Sequence, residues 1–156
     1  MDESVLIVGA GSGLSASLAR LCASKEMKVV LAARNIEKLE DLKKEINAET
    51  YKCDSTDIES VKNLFEGIDK TIGTPNLVIY NPSARLKGSI TELDPKKTYE
   101  AINVTCFGAF LVAQEASRRM LERKSGSIFF TGATAGVKGF ANSSVFAMGK
   151  FGLRGL

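Results

Sequence analysis

The sequence predicts an α/β fold, a doubly wound and mostly parallel sheet with helices on both faces, and three observations predict it. Short, wholly apolar runs recur at residues 5–8, 29–33 and 77–80, as strands buried on both faces do. Stretches with apolar residues at helical spacing separate these runs. A glycine-rich turn, Gly9-Ala10-Gly11-Ser12-Gly13, joins the first run to the first such stretch. Strands that alternate with helices are linked by right-handed crossovers, which puts helices on both sides of one sheet.

In chain order, residues 5–8 form the first strand, and Leu14, Leu18, Leu21 and Cys22 trace the buried stripe of the first helix. Residues 29–33 form the second strand, after which Asn35 caps a helix carrying Ile36, Leu39, Leu42 and Ile46. The third strand is residues 50–53. Thr56-x-x-Glu59 then resembles a capping box ahead of Val61, Leu64, Phe65 and Ile68. Residues 77–80 make the fourth strand, ended by Asn81-Pro82 because proline donates no ladder hydrogen bond. Asp94-Pro95 starts a helix with Asp as N-cap and Pro at its first position, and the pattern continues to about Lys124. Residues 127–131 make the fifth strand, 132–139 a small-residue loop, and a last helix starts near Asn142 or Ser143.

The 156 residues are 44% hydrophobic and 25% charged, and no linker, repeat or low-complexity tract divides them, so residues 1–156 are expected to form a single domain. A net charge of +3 without a polybasic block speaks against nucleic acid or an anionic membrane as partner. No apolar run approaches the roughly 20 residues needed to span a bilayer. The start Met1-Asp2-Glu3-Ser4 lacks signal-peptide features, and a cytoplasmic location is expected. Three separated cysteines, Cys22, Cys53 and Cys106, read as buried thiols rather than a disulfide or zinc framework. With no histidine, Ser-His and Cys-His nucleophile pairs are excluded, and no metal site is expected.

A glycine turn between strand and helix lets backbone N–H groups and a helix N-terminus cradle a pyrophosphate, so Gly9, Gly11, Ser12, Gly13 and Leu14 are expected to hold a dinucleotide. Its alternative is a tight turn without ligand. At the end of the second strand, Ala32-Ala33-Arg34-Asn35 has no carboxylate to take a ribose 2′-hydroxyl. Its guanidinium suits a 2′-phosphate, which favours NADP(H) over NAD(H), unless Arg34 is simply a solvated residue at a helix start.

Gly9, Gly13, Asp54, Asn81 and Lys150 together resemble the short-chain dehydrogenase/reductase family along the whole chain. The family turn is Gly-x-x-x-Gly-x-Gly, here Gly9, Gly13 and Ser15, with serine in place of the third glycine. The resemblance implies Asp54 beside the adenine, or else a helix-capping carboxylate. Asn81 stands in Tyr80-Asn81-Pro82-Ser83 where the family has Asn-Ala-Gly. Such enzymes use Ser and Tyr to hold and protonate a carbonyl, Lys to bind the ribose and lower the Tyr pKa, and Asn to hold a water.

Here the Tyr-x-x-x-Lys motif reads Phe146-x-x-x-Lys150, the serine position falls on Ala133 and the asparagine position on Thr105. Phenylalanine cannot donate a proton. Hydroxyls on Thr131, Thr134, Ser143, Ser144 and Tyr80 are candidates to replace it. Lys150 either holds the nicotinamide ribose or is a snorkelling lysine.

The resemblance therefore implies an NADP(H)-dependent oxidoreductase acting on a small carbonyl or alcohol. The alternative is a catalytically impaired relative that senses NADP(H) or serves as a partner subunit. Family members continue into further strands and a substrate-covering loop, so a chain stopping at Leu156 is expected to lack that C-terminal segment. A homodimer or homotetramer is implied, with Phe107, Leu111, Leu153 and Leu156 as its apolar surface.

Overall fold

The computed structural model describes residues 3–156. Its sheet has five parallel strands in the order β3-β2-β1-β4-β5: β1 is Ser4–Val8, β2 Lys28–Ala33, β3 Glu49–Lys52, β4 Leu77–Tyr80 and β5 Ser127–Phe130. Val5 pairs with Val29 on one side and Leu77 on the other, so β1 lies at the centre and is buried throughout. The doubly wound parallel architecture expected from the sequence is the one observed.

Alternate residues of each strand feed separate cores, as the two-residue period of a strand requires. Leu6, Val8, Val30, Val78 and Tyr80 pack against α3 (Ile58–Asp69) and α5 (Gly108–Arg123). Val5, Ile7, Val29 and Leu31 pack against α1 (Leu14–Ser24) and α2 (Glu40–Ile46). Each fully buried aliphatic side chain of this kind contributes about 1.5–3 kcal/mol relative to exposure.

The face that α1 buries is only part of the expected stripe: Cys22 is buried and Leu18 packs against the core, but Leu14 and Leu21 do not. Ser15, Ala16, Ala19 and Cys22 are buried, whereas Leu14 and Leu21 are more than half exposed. Small residues let the helix lie close on the sheet, and close approach outweighs the larger side chains' preference for burial. The cap of α3 also shifts by one residue. Asp57 accepts the Ser60 N–H as N-cap, while Thr56 instead bonds to Asp54. Asp94 does cap α4 (Pro95–Ile102), accepting the Lys97 N–H at 2.7 Å with Pro95 in the first turn.

The long helical pattern from Pro95 is interrupted by a π turn at Asn103–Phe107, where the Gly108 N–H reaches back to the Asn103 carbonyl. Gly108 is required just after it: a Cβ there would stand 2.5 Å from the Tyr80 hydroxyl and 2.8 Å from the Ser55 carbonyl. The last helix, α6, runs Ser144–Arg154 and packs on this kink. Cys22 and Cys53 are buried as expected, but Cys106 is only half-buried, and all three thiols are free. No helix among the described residues is long and apolar enough to cross a membrane.

Candidate cofactor cleft and active site

At the C-terminal end of β1 the chain turns on Gly9, whose φ is 78°. A Cβ on Gly9 would stand 2.6 Å from Pro82 Cγ, so no side chain fits. The Gly9 and Ala10 N–H groups both donate to the Ala32 carbonyl, at 2.9 and 3.0 Å, which fastens the turn to the end of β2. Gly11 and Gly13 have open space where a Cβ would be. Helix α1 then begins with Gly13 as N-cap and no side-chain cap. The N–H groups of its first turn therefore meet no side-chain acceptor, and they carry the positive end of the helix dipole. The Ala16 N–H donates to the Gly13 carbonyl at 3.0 Å, while the open cradle and the favourable end of the dipole fit a phosphate group.

Ser15 is buried and structural. Its hydroxyl donates to the Gly9 carbonyl at 3.1 Å and accepts from Asn81 Nδ2 at 2.7 Å. The Asn81 N–H in turn donates to the Val8 carbonyl at 3.0 Å. Glycine turn and β4 are thus tied through one serine hydroxyl.

A cleft of about 430 Å³ opens beside the turn, lined by Gly9, Gly11, Ser12, Arg34, Asp54 and Ser83 among others. Gly13, Leu14, Asn81 and Lys150 do not line it, so the structure gathers only part of the expected set there. Leu14 lies on the exposed face of α1, and the Asn81 amide is engaged by Ser15. Asp54 accepts from the Thr56 N–H at 2.9 Å and the Thr56 hydroxyl at 2.8 Å. The backbone hydrogen bond chiefly holds its carboxyl below the usual range against the opposing effect of burial; the Thr56 hydroxyl and the Arg34 charge add to the lowering. Asp54 is a turn-forming carboxylate and not the cap of α3. Arg34 is exposed at the mouth.

A second cluster lies at the ends of β4 and β5. Lys150 is buried, and its ammonium donates to the Thr131 carbonyl at 2.5 Å. It is not a snorkelling surface lysine. Phe146, one helical turn earlier, is half-buried, with Lys150 Nζ 5.8 Å from its ring centroid. Ala133 is exposed in extended backbone at the head of the loop after β5. Thr105 sits buried in the π turn; its hydroxyl accepts the Ala84 N–H at 3.0 Å, and its side chain packs on Gly149 of α6.

Tyr80 leaves the set of candidate proton donors. It is buried, its hydroxyl donates to the Val104 carbonyl and lies 3.1 Å from Ser55 Oγ, and burial pushes the phenol above its ordinary range.

One residue of this cluster escaped the sequence analysis. Arg85 places its guanidinium 4.3 Å from the Phe146 ring centroid. Lys150 is held below the usual lysine range, first by burial and then by the charge of Arg85. A lone arginine after Asn81-Pro82-Ser83-Ala84 carries no local signal of this; only the return of α6 brings Phe146 beneath it.

The short chain dehydrogenase family model matches residues 3–156. The chain belongs to this family. Among short-chain dehydrogenases of known structure, one from Rhodopseudomonas palustris is 29% identical, with a TM-score of 0.92 over 99% of this chain and 75% of that one. A metagenomic short-chain oxidoreductase in complex with NADP is 25% identical, with a TM-score of 0.93 over 98% of this chain and 72% of that one. Human 3-oxoacyl-(acyl-carrier-protein) reductase is 26% identical over 157 residues, which span 99% of this chain and 66% of that enzyme. The chain thus spans just under two thirds of the length of this curated relative.

Proposed function

We propose that residues 1–156 form the cofactor-binding domain of an NADP(H)-dependent oxidoreductase that moves a hydride between the nicotinamide and a small carbonyl or alcohol. The observation that carries this is the cleft itself: an open glycine cradle at an uncapped helix N-terminus, with Arg34 and no acidic side chain at the end of β2. An NADP complex of a relative with the same fold supports it. Gly9, Gly11, Ser12, Gly13 and the first turn of α1 at Leu14 would hold the pyrophosphate, Arg34 the 2′-phosphate, Asp54 the adenine edge and Lys150 the nicotinamide ribose. Asn81 acts indirectly, by fixing the turn through Ser15.

When bound, the nicotinamide supplies or takes up the hydride. The oxygen of a reduced carbonyl then needs a proton, and Phe146, standing at the family's tyrosine position, has none to give. Ala133 and Thr105, at the serine and asparagine positions, give no help: one has no hydroxyl and the other's is held by Ala84. The Lys150 ammonium has three donors, one of them on Thr131, and burial, with the charge of Arg85, holds its pKa below the ordinary lysine range. It is the proton donor we assign, since an acid works best when its pKa nears the working pH.

The free thiols fit a reducing, cytoplasmic setting. The exposed apolar side chains of α5 and α6 fit a homodimer or homotetramer.

Single-turnover oxidation of NADPH by the full-length protein against a panel of aldehydes and ketones tests the activity. Turnover that Lys150→Met abolishes is expected. Tight NADPH binding without oxidation of any carbonyl would leave a cofactor-binding module in its place.

A further inference from the structure

We propose that Arg85, seated on the Phe146 ring beside Lys150, receives a carboxylate of the substrate, so that this site takes carbonyl or alcohol compounds bearing a carboxylate next to the reacting carbon. The inference rests on the oxidoreductase reading and names its substrate class.

Three features of the structure lead there. The first is that Arg85 is unclaimed. Among the described residues its guanidinium rests on the Phe146 ring and its charge acts on Lys150, but no ion pair or hydrogen bond engages its five N–H donors. The arginines at positions 20, 118 and 119 all have carboxylate partners.

The second is that the loop carrying Arg85 is anchored on both sides of it. The N–H of Ala84 is anchored to the buried Thr105 hydroxyl at 3.0 Å, and the N–H of Gly88 to the Asn142 carbonyl at 3.2 Å. Thr105 therefore acts here as an anchor for the loop that carries Arg85. With its loop anchored and its guanidinium resting on the Phe146 ring, Arg85 loses less conformational freedom on meeting a ligand.

The third is charge. Arg85 and Lys150 flank one aromatic ring, at 4.3 and 5.8 Å from its centroid, and no carboxylate is among the groups that act on Lys150. The charge of Arg85 disfavours the Lys150 ammonium. A neutral carbonyl substrate would leave that repulsion standing, whereas a carboxylate on Arg85 offsets it. A planar, bidentate carboxylate also matches the guanidinium fork. One cation then serves the reacting oxygen and the other serves the acid group.

The test is calorimetric titration of the full-length protein, with and without NADPH, using phenylglyoxylate and its uncharged methyl ester as probes. The native protein should bind the acid about tenfold or more tightly than the ester. Arg85→Met should lose that preference and keep ester and NADPH affinities within about twofold. Arg85→Lys should retain part of it, as a point charge without the fork would. Arg85 is exposed, and a matching urea midpoint for each variant separates lost binding from lost folding.

Equal binding of acid and ester by the native protein, absence of acid binding, or an acid preference that survives in Arg85→Met would overturn the proposal. Failure of NADPH to bind would instead overturn the cofactor reading, and the cofactor-free titrations would then decide the carboxylate question by the same criteria.

Discussion

At Arg34 an exposed guanidinium ends β2 where a carboxylate would repel a 2′-phosphate, so Arg34→Asp should weaken NADPH binding at least about tenfold and favour NADH. Fluorescence titration of both cofactors reads this, and equal affinities in the native protein would refute the assignment. At Lys150 the expected signature is a pH profile. Burial and Arg85 lower its pKa, so the ammonium is lost at lower pH than for an ordinary lysine. Carbonyl reduction should then fall as pH rises through that lowered value, and Arg85→Met should move the fall to higher pH by removing a like charge. A profile unchanged by the substitution would remove Lys150 as the acid. At Phe146 the ring supports Arg85 and lies near Lys150, so Phe146→Tyr with Ala133→Ser should place a phenol beside an ammonium able to lower its pKa. A gain of roughly a hundredfold in NADPH consumption with activated aldehydes is expected, the low end for a restored general acid. The gain stays partial because Thr105 is committed to Ala84.

Helix α1 shows how an element's buried face follows from its neighbours. The leucine spacing is helical, yet the alanine and serine face is the one pressed on the sheet, because the strand-to-helix turn at Gly9 brings the two backbones close. Ala19, fully buried there, has no room to grow. Ala19→Leu should therefore cost about 1–3 kcal/mol through overpacking, whereas Leu21→Ala on the exposed face should change stability by less than about 0.5 kcal/mol. Urea unfolding of the two variants checks both, and the reverse ranking would mean that α1 is rotated. The π turn makes the same point in α4 and α5. It presents the Val104 carbonyl to the Tyr80 hydroxyl and buries Thr105 against Gly149, so a local irregularity in one helix sets the positions of β4, the Arg85 loop and α6.

Over the whole molecule, the π turn, α5 and α6 carry Phe107, Phe110, Leu121, Met148 and Phe151, all substantially exposed. Leu111 and Leu153, expected on that surface, are instead buried in the core, so the apolar patch is aromatic-rich and Leu156 is the one leucine of the expected set still exposed. Phe107 and Phe110 stack at 6.1 Å between centroids. Patches of this kind mark interfaces between chains. Sedimentation of the full-length protein at micromolar concentration should show a dimer or tetramer, and Phe110→Glu with Phe151→Glu should convert it to monomer without altering NADPH affinity. A native monomer would count against the assembly.

The sequence by itself determined the alternation of strand and helix, the parallel sheet, the glycine turn and the Asp94 cap. Each of these is encoded within a few residues: apolar periods, a proline, a capping carboxylate or a glycine that alone tolerates φ near 78° with Pro82 against it. The tertiary structure alone decided which face of α1 is buried, that Tyr80 is locked away, that Thr105 anchors Ala84, and that Arg85 rests on Phe146. Those outcomes depend on pairs of residues far apart in the chain, joined only when β4, the π turn and α6 pack together. A guanidinium in a loop looks like any solvated arginine until the fold supplies the ring beneath it and the second cation beside it.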